Sequence, residues 1–145
     1  MKKFLIGALV IICVWFVKVC TEVYFKAKMS EQQKEYKSGN IDEELRNMTE
    51  TMNLKLPMKI DEITELSKIE YHENREVRYC YTYFSDNLTF TSTEIEEYRK
   101  RMLQMVKKST DLNKFKEYQV TMSYAYYNSE GDCLALIKIY PKDYR

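Results

Sequence analysis

Residues 77–84, Val-Arg-Tyr-Cys-Tyr-Thr-Tyr-Phe, alternate with period two and consist almost entirely of β-formers. A chain that contains them has to build a sheet around them. Val77, Tyr79, Tyr81 and Tyr83 fall on one face, and Arg78, Cys80, Thr82 and Phe84 fall on the other. Both faces carry bulky side chains, so the segment reads as an inner strand. A second alternating run, residues 118–127, places Val120, Met122, Tyr124 and Tyr126 on one face. Asn128-Ser129-Glu130-Gly131-Asp132 follows as hairpin chemistry, with Gly131 available for a positive φ. The last strand, residues 133–140, is stopped by Pro141.

Helical patterns precede each pair of strands. Asn40 suits an N-cap, Glu43 stands three residues on, and Ile41, Leu45, Met48 and Met52 form one apolar stripe that ends before Pro57. Residues 66–71 suit a first strand, and Glu73-Asn74-Arg75-Glu76 turns it back into the organising strand as an antiparallel hairpin. Thr93 with Glu96 reads as a capping box for a second helix whose inner face holds Ile95, Tyr98, Met102, Met105 and Val106. The expected fold class is α+β: a four-stranded antiparallel sheet with two helices on one face, in the order α-β-β-α-β-β, preceded by an N-terminal membrane helix.

That membrane helix is read from the first residues. The chain opens Met1-Lys2-Lys3 and stays apolar from residue 4 to residue 17, the charged and hydrophobic regions of an export signal. About 14 apolar residues rise only about 21 Å as a helix, short of a hydrocarbon core of about 30 Å. No small-x-small cleavage site follows, since Phe25-Lys26-Ala27 begins with a bulky residue and Val17-Lys18-Val19 does not fit. Continued to Phe25 the helix spans about 33 Å, with Lys18 and Glu22 spaced to pair. Cys13 and Cys20 follow Ile12 and Val19, not the small residues expected ahead of a lipid-modified cysteine. The reading is a signal anchor or transmembrane helix over residues 1–25, a polar stalk over 26–39 and an extracytoplasmic α+β domain over 40–145. The chain is then a single-pass protein attached to the membrane through residues 4–25, or an exported soluble one if the signal is removed.

Little in the remainder points to chemistry. A net charge of +1 gives no argument for nucleic acid. His72 is the single histidine, and one imidazole among Glu70, Glu73 and Glu76 is a poor start for a metal site. Strand geometry sets Cys80 well along the ladder from His72, too far for a nucleophile and its base. Neither a catalytic residue, a cofactor nor a metal is expected. Asp61 and Thr64 read as residues that satisfy turn and strand-start amides. Arg99, Lys100, Arg101, Lys107, Lys108, Lys114 and Lys116 make the second helix and its exit basic, and they read as a solvated face. Cys80 and Cys133 can bridge only if the second and fourth strands bring them within about 7 Å; otherwise they are two buried thiols. The 13 tyrosines are the unusual feature. Tyr79, Tyr81, Tyr83, Tyr124 and Tyr126 either pack across strands as pairs or, where helices cover the opposite face, form a rigid amphipathic docking surface. They are the candidate binding residues.

The stretch Asn53-Leu54-Lys55-Leu56-Pro57-Met58, followed by Asp61, Thr64 and Leu66, resembles a group of small exported bacterial proteins of uncharacterised function. In these a helix ends in Asn-x-x-Leu-Pro-Met and leads through Asp-x-x-Thr-x-Leu to two Tyr-x-Tyr strands and a Gly hairpin. Tyr79 with Tyr81, Tyr124 with Tyr126, and Gly131 match that pattern, and the similarity covers residues 41–145. Members often carry a cysteine where the second helix ends and another at the C-terminus, where this chain has Ser109 and Tyr144. The resemblance implies export and fold and carries no catalytic residues. The functional expectation is a membrane-tethered envelope domain that binds an unknown protein partner without catalysis, as an accessory, inhibitor or immunity-type protein. The alternatives are a small-ligand or hydrolytic domain with a pocket between helices and sheet, and a purely structural spacer.

Overall fold

The computed structural model describes residues 41–85 and 89–145. Helix α1 (Ile41–Asn53) has Asp42, Glu43 and Glu44 in its first turn, where the helix dipole favours negative charge, and it buries Leu45, Met48, Thr49 and Met52. Five strands follow, interrupted by helices: β1 (Met58–Lys59), β2 (Thr64–His72), β3 (Glu76–Tyr83), α2 (Ser92–Lys108), α3 (Asn113–Glu117), β4 (Thr121–Asn128), β5 (Cys133–Ile139) and α4 (Pro141–Tyr144). They form one sheet in the order β1-β2-β3-β4-β5. The pairs β1/β2, β2/β3 and β4/β5 are antiparallel, and β3/β4 is parallel.

The sheet is therefore five-stranded and mixed, which corrects the four-stranded antiparallel expectation. The parallel pair has a direct cause. Between β3 and β4 the 17-residue α2 carries the chain back to the end where β3 began, and a strand that follows such a crossover runs parallel to the one before it. The extra strand, β1, has only two residues, Met58 facing Leu66 and Lys59 facing Glu65, too few to carry a period. Among the described residues no helix is long and apolar enough to cross a membrane. The expected membrane helix and stalk lie outside the described residues, as does the Asn40 cap. The second helix starts two residues earlier than its sequence suggests. Its cap is Thr91, whose hydroxyl accepts from Glu94 N at 3.3 Å while Thr91 N donates to the Glu94 carboxylate at 2.9 Å.

One face of the sheet is the core face. Leu66, Ile69, Val77, Tyr79, Tyr81, Tyr83, Met122, Tyr124, Tyr126, Ala135, Ile137 and Ile139 are buried there, in one cluster with the inner residues of α1 and with Tyr98, Met102 and Val106 of α2. Leu66 and Ile69 are three residues apart, yet both point inward. A bulge at Ser67 reconciles them, because Leu66 faces Tyr81 while Lys68 faces Cys80.

The bulged strand outruns β1, and a side chain substitutes for the missing backbone. Asn53 accepts from Ile69 N at 2.8 Å and donates to Ile69 O at 2.6 Å. Its amide thus pairs with the outer edge of β2 as one more strand residue would. This explains why an asparagine ends α1, since no aliphatic side chain offers a donor and an acceptor together. Asn53→Ala leaves both half-buried groups without these partners and is expected to lower unfolding free energy by about 1–3 kcal/mol. Urea unfolding should show a reduced midpoint with an unchanged slope. A midpoint indistinguishable from the parent would mean that water replaces the amide without cost.

Candidate functional site

The five candidate tyrosines lie inside the molecule. Tyr79 is 1% exposed, Tyr81 0%, Tyr83 4%, and Tyr124 and Tyr126 2% each. The parallel register sets Tyr79 beside Tyr124 and Tyr81 beside Tyr126, and the ring pairs stack with centroids 5.4 and 5.3 Å apart. Tyr126 also meets Tyr83 at 5.9 Å and Phe90 at 5.7 Å. The rings lie on the face that carries the helices and are buried there, so among the described residues they form packed pairs and not the exposed docking face that was the other expectation.

The opposite face is built from the intervening residues of the same strands. Glu76, the first residue of β3, gathers the charged side chains at one end of this face. Its Oε1 accepts from Arg78 Nη2 at 2.7 Å and from Ser123 Oγ at 2.7 Å, and its Oε2 accepts from Lys138 Nζ at 2.7 Å. Three strands are tied by one carboxylate. Burial opposes its ionisation, but the hydrogen bonds from Lys138, Ser123 and Arg78 outweigh that and hold the carboxyl down at about 2. Along β2, Glu70 takes Lys68 at 2.6 Å and His72 Nε2 at 3.0 Å, and the Lys68 hydrogen bond leads in lowering its pKa.

Cys80 lies under this charged layer, 1% exposed, with its thiol 3.8 Å from Glu70 Oε2. Burial, followed by the Glu70 charge, pushes the thiol up to about 12, so it stays protonated and unreactive at neutral pH. Cys133 is exposed, and both cysteines are free. They cannot bridge, because β4 stands between their strands and two strand spacings exceed about 9 Å. Asp61 accepts from Ile63 N at 2.9 Å, as a turn residue does. With Thr64 it lines a shallow hollow of about 290 Å³, shared with Lys59, Glu62, Glu65 and Phe84 at the β1 edge and outside the helix–sheet layer. Among the described residues no group of three metal-ligating side chains converges.

The Glu76 centre escaped sequence reasoning. Its signal was present in the charged off-beats, Glu76 and Arg78 in β3 and Lys138 in β5. Only the strand order shows that they meet.

The model of a family described as a domain of unknown function, DUF8479, matches residues 39–135. The chain belongs to that family. No curated protein matches the sequence. Among solved structures, this family member is similar to a candidate secreted protein of Pseudomonas aeruginosa at 13% identity and a TM-score of 0.54, covering 75% of this chain and 100% of that one. It is also similar to a type II secretion system pilotin of Vibrio vulnificus at 14% identity and 0.54, covering 72% of this chain and 91% of that one. A pilotin of the Vibrio cholerae type II secretion system gives 10% identity and 0.51, covering 72% and 92%. At these identities the likeness is one of fold.

Proposed function

We propose that this member of the family is an exported accessory protein of the cell envelope, held at the membrane through its N-terminal residues 4–25, and that it works by binding another protein. The observation that carries the reading is how fully the candidate chemistry is spent within the domain. The Glu76 carboxylate is neutralised by two cations, the Cys80 thiol is held protonated, and the tyrosines are buried in stacked pairs on the face that carries the helices. The export-type start of the chain supports the location. The fold it shares with a candidate secreted protein and with two pilotins supports an accessory role in assembly or secretion.

The test is made in the protein's own host. A C-terminal tag reports fraction and mass, and a photocrosslinking residue is placed in turn at Leu54, Phe84 and Leu136, which are 85%, 53% and 42% exposed. The expected result is full-length protein in the envelope fraction and a discrete adduct from at least one of the three positions. Protein confined to the cytoplasm, or no adduct from any position, would remove the proposal.

A further inference from the structure

The two edges of the sheet are treated differently. At the β1 edge, β2 is covered by a two-residue strand and by the Asn53 amide. At the other edge lies β5, seven residues with the sequence Cys-Leu-Ala-Leu-Ile-Lys-Ile and no strand beyond it among the described residues.

Two hydrogen bonds fix which backbone groups of β5 point outward. Thr121 N donates to Arg75 O, on the β3 side of β4. Thr121, Ser123 and Ala125 therefore turn toward β3, while Met122, Tyr124 and Tyr126 turn toward β5 and bond Ile139, Ile137 and Ala135. The residues between, Leu136 and Lys138, turn away from the sheet. Arg99 Nε accordingly reaches Lys138 O from outside, at 3.3 Å. Nothing described reaches the main chain of Leu136, whose side chain is 42% exposed on the open face.

Resting on the protein-binding reading above, we propose that this edge, centred on Leu136, takes an extended segment of the protein partner as a sixth strand. An outward N–H and C=O at strand spacing are matched by another extended backbone, and a neighbouring apolar side chain would cover Leu136. Contact area decides between this occupant and a second copy of the chain. A seven-residue strand is about 23 Å long. Two folded copies meeting along that line alone fall well below the roughly 1,200–2,000 Å² that stable interfaces bury. A flexible segment gains the same hydrogen bonds and can continue over the open face.

The test uses the full chain in detergent and hydrogen exchange at single amides. In the free protein Leu136 N–H should exchange fast while Ile137 N–H is protected by β4. The acetylated and amidated pentapeptide Thr-Val-Thr-Val-Thr, at millimolar concentration, should slow Leu136 by at least about tenfold. The same peptide N-methylated on alternate amides should not. The proposal is overturned if Leu136 is already slow in the free protein at every dilution, if neither peptide slows it, or if both do so equally. Protection that grows with protein concentration in the absence of peptide would assign the edge to a second copy and equally overturn it. If the edge fails while crosslinks persist from Leu54 or Phe84, binding stands and only its site is lost. If no crosslink forms from any position, the binding reading itself has failed.

Discussion

Tyr126→Ala is expected to destabilise the domain by about 3–5 kcal/mol, the range for removing a large buried aromatic side chain. Tyr126 is 2% exposed and its ring stacks on Tyr81 and Tyr83 while touching Phe90. Truncation opens a void at the centre of the parallel pair, where two backbones and a crossover helix limit collapse. Tyr140→Ala supplies the contrast, since Tyr140 is 42% exposed and should change stability by no more than about 0.5 kcal/mol. Urea unfolding of both variants beside the parent measures the difference. A Tyr126→Ala protein within about 1 kcal/mol of the parent would mean that the stacked rings do not organise the core.

The second large effect belongs to Glu76. Glu76→Ala leaves Arg78 and Lys138 partly buried with their shared counter-charge removed, and breaking such a cluster costs about 3–5 kcal/mol. Acid should act on the same centre. Its carboxyl sits at about 2 in the folded chain against 4.5 as the ordinary value. Folding therefore gains stability from the ionised form above pH 4.5, and that gain is lost as the pH falls through the interval down to about 2. The gap corresponds to roughly 3 kcal/mol at neutral pH. Unfolding midpoints of the parent and of Glu76→Gln, compared at pH 7 and pH 3, should lie further apart at pH 7. An equal separation at both values would show that the carboxylate contributes nothing through its charge.

Much of the fold was legible because burial imposes a period. The alternation in residues 77–83 and 120–126 marks β3 and β4, and the four-three-four spacing of Ile41, Leu45, Met48 and Met52 marks α1, since each pattern must bring one face to the core. Strand direction was not legible in the same way. Period two is identical for parallel and antiparallel neighbours, and only the route through α2 decides between them. The choice of face stayed open for a related reason. Arg78, Cys80 and Thr82 on one side of β3 and the tyrosines on the other are both compatible with cover, and tyrosine is amphipathic enough to suit either environment. The pairing of Cys80 and Cys133 depended on strand order, which neither cysteine encodes, and of the two free thiols only Cys80 is buried. The Glu76 centre needed residues 47 and 62 positions apart to meet, a distance over which spacing carries no information.

The parallel pair also sets an order of events during synthesis. Tyr79 meets Tyr124 across it, a separation of 124 − 79 = 45 residues, whereas the β2–β3 and β4–β5 hairpins close locally. Each hairpin can form as soon as its own strands exist, but β3, the strand destined for the middle of the sheet, waits as an open edge until β4 has been made. Throughout that interval a tyrosine-rich strand is available to any neighbouring chain. Closing the long loop through α2 costs more chain entropy than closing either hairpin, so the parallel pair is the most demanding contact of the sheet to form.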